Sequence, residues 1–157
     1  MLNLEELAKF LVKAKVQTYA GDGKEIKPQR PGFKELEYKE GDWDYRDSYS
    51  GFFMAPGQEI VRFRNKPVWA MAYSGGMIKD YKKLLLAKRT FSFLKEALAL
   101  VPLNAPFRGP KKLTKKNWKY INSIKGDLTD FKGNEKIYHN NKLIFEQNYI
   151  GGLIINK

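Results

Sequence analysis

Apolar residues first recur at helical spacing. Leu4, Leu7, Ala8, Leu11 and Ala14, with Lys15 beside them, fall on one stripe. Asn3 is placed to cap this helix, and Glu5 and Glu6 suit its first turn. The pattern fades near Thr18–Gly21, and residues 21–33, with three Gly and two Pro, read as a loop. Residues 34–40 alternate weakly, and Gly41-Asp42 marks a turn. Residues 43–50 alternate well: Trp43, Tyr45, Asp47 and Tyr49 share one face, and Asp44, Arg46 and Ser48 the other. Strands are expected at 58–64 and 67–74, joined by a tight turn at Arg64-Asn65-Lys66-Pro67. A second helix is expected over 79–101, where Leu84, Ala87, Phe91, Leu94, Leu98 and Val101 form a buried stripe that Pro102 ends. Residues 103–116 read as a loop. Strands follow near 117–124, 128–132, 135–139 and 143–149, with the last turn at Asn140-Asn141.

The second half of this pattern repeats the first. At a constant offset of 76, Gly57, Glu59, Asn65, Lys66, Tyr73, Gly75, Gly76 and Ile78 meet Gly133, Glu135, Asn141, Lys142, Tyr149, Gly151, Gly152 and Ile154. That is 8 identities in 22 ungapped positions, where average residue usage gives roughly one or two. At offset 75, Trp43, Tyr45, Ser48 and Gly51 meet Trp118, Tyr120, Ser123 and Gly126. The expected architecture is therefore α+β and internally duplicated. Each unit is a helix, a loop and three or four antiparallel strands. Two such units, about 1–78 and 79–157, form one domain, with both helices on one face of a curved antiparallel sheet about a pseudo-twofold axis. The cleft between the units is the expected pocket. The Gly75-Gly76 and Gly151-Gly152 pairs call for close backbone approach or a sharp exit from the strand.

Composition narrows the chemistry. The 157 residues, 43% hydrophobic and 14% aromatic, suffice for a core. There is no cysteine, hence no disulfide, thiolate metal site or cysteine nucleophile. No apolar run reaches membrane-span length, and the N-terminus lacks the layout of a signal peptide. A cytoplasmic location is the expectation, with no membrane partner. The net charge of +12 is uneven: residues 1–60 carry 9 Lys+Arg against 11 Asp+Glu, and residues 61–157 carry 20 against 6. That excess suits a polyanion or a solvated lysine-rich surface.

Positions that differ between the two units carry what one unit does alone. Asp47 aligns with Asn122, Tyr49 with Ile124 and Trp69 with Phe145. Tyr45, Asp47, Tyr49, Trp69 and Tyr73, with Arg108 from the Pro106–Pro110 loop, are the candidate ligand-binding set. Rings supply apolar area and cation–π attraction, and a carboxylate fixes orientation, so the set suits a flat or cationic small molecule. Arg108 is placed to clamp an anion or to pair with a carboxylate such as Asp47. The alternative is a nucleic-acid-binding face of Lys111, Lys112, Lys115, Lys116 and Lys119 around Trp118. His139 stands alone, so no metal site is expected. Asp44 and Asp47 point to opposite faces, and no Gly-x-Ser-x-Gly elbow is present, so the reading leans away from an enzyme and no cofactor is assigned.

Taken whole, the sequence resembles an uncharacterised bacterial and archaeal family, a domain of unknown function (DUF family 5680). The residues carrying the resemblance run from Phe10-Leu11 and Tyr19-Ala20-Gly21 through Leu36-Glu37-Tyr38, Glu40-Gly41-Asp42, Tyr45, Asp47, Tyr49 and Gly51. They continue in Pro67, Trp69, Met71, Tyr73, Gly75, Phe93–Leu98, Arg108-Gly109-Pro110, Gly133, Glu135, Tyr149 and Gly151-Gly152. The resemblance implies a domain found alone or joined to an XRE-type helix-turn-helix, and no established activity or cofactor. No helix-turn-helix is expected before residue 20. The expected role is a non-enzymatic small-molecule-binding or sensing domain. Its partners would be an unknown small molecule, a transcriptional regulator, a homodimer mate or, on the alternative, nucleic acid.

Overall fold

The computed structural model describes residues 2–155. Helix α1 spans Leu4–Gln17, capped by the Asn3 side chain, which accepts from the backbone N–H groups of Glu5 and Glu6. Strands β1 (Lys34–Glu40), β2 (Trp43–Tyr49), β3 (Gly57–Phe63) and β4 (Lys66–Met77) follow, then helix α2 (Leu84–Leu98). Strands β5 (Lys112–Lys115), β6 (Trp118–Asp127), β7 (Asp130–His139) and β8 (Lys142–Leu153) complete the chain. The architecture is α+β, dominated by one open antiparallel sheet of eight strands in the order β1-β2-β3-β4-β8-β7-β6-β5.

Three expectations are corrected. The second helix starts at Leu84, not residue 79, because Lys79–Tyr81 form a separate 3-10 turn, and it ends at Leu98 rather than 101. Strand β5 lies inside the expected 103–116 loop; it reads as polar because it is an edge strand with three of its four residues exposed. The strands expected at 128–132 and 135–139 are one continuous strand, β7. The gap expected between them falls at Gly133-Asn134. Gly133 in fact makes room for a ring: a Cβ there would lie 2.1 Å from Cζ of Tyr149.

Strand register shows which side chains share a face. Asp47 lies opposite Glu59, Glu59 opposite Met71, and Met71 opposite Gly151. On the other side of the sheet centre, Asn122 lies opposite Glu135, Glu135 opposite Gln147, and Gln147 opposite Gly75. Tyr73 and Tyr149 face each other across the central β4–β8 pair. Both helices cover this face. Phe10 of α1 stacks on Trp43 at 5.4 Å between ring centroids, and Phe93 of α2 meets Trp118 at 5.6 Å. Two apolar clusters form beneath them, one around Leu7, Leu11, Tyr45, Trp69 and Phe131, the other around Ala87, Leu94, Tyr120, Ile137 and Phe145. Gly75 and Gly76 are inside β4 rather than at its exit. Their need is close approach, since a Cβ on Gly76 would sit 2.0 Å from the Phe53 carbonyl oxygen.

The 21–33 loop begins beside the helices, where Asp22 pairs with Lys95 of α2, and then passes over the β1 edge to the other face of the sheet. Ile26 bridges to Glu35 at the β1 edge, and Arg30 donates to Ser48 Oγ at 2.9 Å on the helix-free face. Gly133→Ala is expected to lower stability by about 1–3 kcal/mol, because the Tyr149 ring must shift to admit the methyl group and its hydroxyl is held by Asn122 at 2.7 Å. Urea denaturation checks this; an unchanged midpoint would count against the packing argument.

Candidate functional site

Beneath the helices, the sheet face carries a line of charged residues where a core would ordinarily be apolar. Lys15, Glu59, Asp47, Arg108 and Glu135 are all at most 7% exposed. Lys15 projects from the buried stripe of α1 and donates to Glu59 Oε2. Arg108 enters from the loop after α2. Its Nε and Nη2 donate to Glu135 Oε1 at 2.9 and 2.7 Å, and Nη1 stands 3.8 Å from Glu59 Oε1. Glu135 also accepts from the Tyr120 hydroxyl at 2.7 Å and from Gln147 Nε2 at 2.9 Å. Arg108 is therefore a structural cation held by two glutamates. It pairs with a carboxylate, as expected, but that carboxylate is Glu135 and not Asp47.

Burial opposes charge throughout this line. It pulls the Lys15 ammonium below its ordinary value, although Glu59 works the other way. It also opposes the Arg108 guanidinium, but the attraction of Glu135 and Glu59 outweighs it and the pKa goes up. Asp47 is pushed up to about 7, first by burial and then by the Glu59 carboxylate opposite it. The Tyr73 hydroxyl donates to Asp47 Oδ1 at 2.7 Å. Among the described residues it is the single donor to that carboxylate, and Asp47 is in no ion pair.

The corresponding register position on the other side of the sheet gives the contrast. Asn122 lies opposite Glu135 as Asp47 lies opposite Glu59. Its Oδ1 accepts from the Tyr149 hydroxyl as Asp47 accepts from Tyr73. But Asn122 also donates Nδ2 to the Gly109 carbonyl at 2.9 Å, so both ends of its amide are satisfied. Asp47 has an oxygen to spare.

That oxygen belongs to a residue lining a pocket between the end of α1 and helix α2. The inner chamber holds about 50 Å³ and is lined by Tyr19, Asp47, Tyr49, Tyr73 and Arg108, with Phe52, Phe91, Phe145 and Gln147. It shares the walls Tyr19, Tyr49, Phe52, Ala55 and Phe91 with an outer chamber of about 410 Å³, whose rim carries Asp22, Glu25, Lys34, Lys88 and Lys95. Tyr19 and Tyr49 meet edge-to-face at 6.1 Å, and Phe52 and Phe91 at 5.2 Å. Of the expected ligand set, Asp47, Tyr49, Tyr73 and Arg108 come together here. Tyr45 lies one layer deeper, beside a smaller void that also touches Lys15 and Glu59. Trp69 does not line the pocket. It is fully buried, stacked on Phe131 at 5.7 Å, and donates its indole N–H to the Leu128 carbonyl.

The residues of the expected nucleic-acid face are not brought together. Trp118 is buried under α2 against Phe93 and His139. Lys119 is on the opposite face, over the Tyr138 ring. Lys115 pairs with Glu96, while Lys111, Lys112 and Lys116 are exposed around the edge strand. The helix-free face does have an open depression of about 590 Å³ over β4, β8, β7 and β6, lined in part by Ser74, Lys125, Lys132, Asn134 and Asn148.

The sequence signals for the missed residues were present. Lys15 sits on an otherwise apolar helical stripe, and Glu59 and Glu135 repeat at an inward-facing strand position. Tyr19, Phe52 and Phe91 carry no such signal, since only the tertiary fold brings them to one mouth. Among the described residues no cluster of His, Cys, Asp and Glu is arranged to hold a metal ion, and no helix is long and apolar enough to cross a membrane.

Comparison with curated proteins and with solved structures returned no match. A family model does match, over residues 47–154, from the strand that carries Asp47 to the end of β8. The chain belongs to the family described as "Domain of unknown function (DUF5680)".

Proposed function

We propose that the protein is a non-enzymatic small-molecule-binding or sensing domain, with its ligand in the pocket between α1 and α2. The observation that carries this reading is Asp47. A carboxylate only 4% exposed has, among the described residues, one donor and no paired cation, and it lines an aromatic chamber. A buried charge in that state is costly unless something completes it. Binding sites commonly combine apolar walls with a few convergent polar groups, as here.

As part of the same reading, the chain is an internal duplication about a pseudo-twofold axis between β4 and β8. In its favour, the strand order runs β1 to β4 from one edge and β5 to β8 from the other. Register shifts occur at Val61/Arg62 and at Ile137/Tyr138, an offset of 76. On this view Asp47 replaces the asparagine of the second unit, and the pocket is the specialisation of one unit.

A thermal-shift screen against a metabolite panel tests the reading. At least one stabilising compound is expected to lose its effect in Asp47→Ala and to be weakened in Tyr49→Ala. If every stabilising compound acts equally on wild type and Asp47→Ala, the pocket is not the site.

One observation favours nucleic acid as a second reading. On the helix-free side of β5–β7, Lys112, Lys119, Lys125 and Lys132 form no ion pair among the described residues, and Lys136 pairs with Glu146. Such a face predicts binding whose affinity falls steeply with salt. Filter binding of single-stranded DNA at low and high salt, with Lys125→Ala/Lys132→Ala as control, decides it. Binding that is absent, or unaffected by both salt and the double variant, removes this reading.

A further inference from the structure

The polar line beneath the pocket is unbalanced by one charge. Its cations are Lys15 and Arg108, and its carboxylates are Glu59, Glu135 and Asp47. Glu59 takes Lys15, Glu135 takes Arg108, and the residual contact of Arg108 at 3.8 Å also goes to Glu59. The matched cations are spoken for. An anionic ligand would find no free positive charge at the chamber floor among the described residues and would face two carboxylates across the sheet.

We propose that the pocket takes a primary ammonium group, carried on a short apolar or aromatic body, with Asp47 as its counter-ion. This rests on the small-molecule reading above and names the ligand class of the same site. Three features of the chamber select that class. First, Tyr73 already holds Oδ1 of Asp47, so the ligand must offer an N–H to the other oxygen. A quaternary ammonium has none. Second, the inner chamber of about 50 Å³ exceeds the roughly 10–15 Å³ that one water needs, yet holds only a few water-sized groups. It admits an aminomethyl head and little more. Third, the rings of Tyr19, Tyr49, Phe52 and Phe91 wall the passage to the outer chamber. They offer cation–π attraction to the head and apolar area to the body behind it.

The groups facing Asp47 come from every packed element. They are Tyr73 from β4, Glu59 from β3, Lys15 from α1, Tyr19 just beyond it, Arg108 from the loop after α2, and Tyr45 and Tyr49 on its own strand. At the rim, Lys95 pairs with Asp22 and Lys34 with Glu25, which leaves Lys88 as the unmatched charge there among the described residues. The Asp47 carboxyl is raised to about 7 by burial and by Glu59. An ammonium ligand selects its ionised form. Affinity should therefore rise about tenfold per pH unit below 7, level off above it, and fall again only near about pH 10, where an alkylamine loses its proton.

The test is isothermal titration calorimetry with benzylamine, phenethylamine and 3-phenylpropylamine, each beside its alcohol counterpart, at pH 6 and pH 8. At least one amine is expected to bind, about tenfold more weakly at pH 6, while its alcohol does not. Asp47→Asn is expected to weaken that amine by at least about tenfold with the fold intact, because Asn122 already occupies the matching register position. Failure of all three amines overturns the assignment. So does an alcohol that binds as well as its amine, or an affinity indifferent to both pH and Asp47→Asn. If the metabolite screen instead finds a neutral or anionic ligand lost in Asp47→Ala, the pocket stands and the ammonium class falls. If no compound responds to Asp47, both fall.

Discussion

Glu135→Ala is expected to destabilise the protein by about 3–5 kcal/mol, because it strands a buried guanidinium. Glu135 is fully buried and accepts from Arg108 Nε and Nη2, from the Tyr120 hydroxyl and from Gln147. Truncating it removes the principal counter-charge of Arg108 and leaves that cation to Glu59 at 3.8 Å. The remedy is equally specific. Arg108 is only 7% exposed and packs over the Tyr73 ring at 5.5 Å, so a flexible apolar side chain can occupy much of its space. Removing both charges, in Glu135→Leu/Arg108→Met, should recover most of the loss, since the desolvation of two ions disappears with them. Urea denaturation of the two variants and wild type measures both effects. A loss below about 1 kcal/mol in Glu135→Ala would mean that the pair is solvated or readily replaced.

The architecture was legible where side-chain periodicity is strong. The α1 stripe from Leu7 to Ala14, the alternation of β2 and the Ala87, Leu94 and Leu98 part of the α2 stripe reappear as buried faces, while Leu84, expected on that stripe, is exposed and Phe91 is half-buried. The edge strand β5 was not legible. Its sequence, Lys-Leu-Thr-Lys, lacks the apolar alternation of a half-buried strand because solvent covers most of it. The gap between the strands expected at 128–132 and 135–139 falls at Gly133-Asn134, a pair that local propensity treats as a turn. What overrides that propensity is tertiary, namely the Tyr149 ring lying over Gly133.

Half of the candidate pocket was readable for a physical reason. Asp47 and Tyr49 alternate on β2 with the deeper Tyr45, so parity puts these three on one face, and the strand register adds Tyr73 from β4. Trp69 shares that parity but not the pocket. Its indole lies toward Phe131 and the Leu128 carbonyl, a direction that strand parity does not specify. Glu59 and Glu135, which match at the offset of 76, are both buried. Their partners were harder to find, because Lys15 and Arg108 reach them over 44 and 27 residues of sequence.

Asp47→Asn is expected to make the ligand-free protein more stable above neutral pH, the reverse of the usual outcome for a buried polar substitution. The sign follows from the two pKa values. The Asp47 carboxyl is at about 7 in the fold against 3.8 for the ordinary side chain. Between these values the folded protein holds a proton that the unfolded chain has released, so stability falls as pH rises from about 4 to about 7 and is level above that. The full drop is roughly 4 kcal/mol. An asparagine keeps the acceptor for the Tyr73 hydroxyl, as Asn122 does for Tyr149, and carries no proton to lose. The variant should therefore equal or trail wild type near pH 4 and exceed it at pH 8. Other carboxylates, such as Glu37 near Arg46, titrate in both proteins, so the difference between the two stability–pH curves isolates Asp47. Denaturant melts from pH 4 to pH 8 give that curve directly. A flat difference would place the Asp47 oxygen in contact with solvent or a cation. A rising stability of wild type relative to the variant would mean that Asp47 is already neutralised inside the fold, and the case for a cationic ligand would go with it. A falling one marks a carboxylate whose ionised form the free protein leaves uncompensated, which is the condition under which a bound ammonium contributes most.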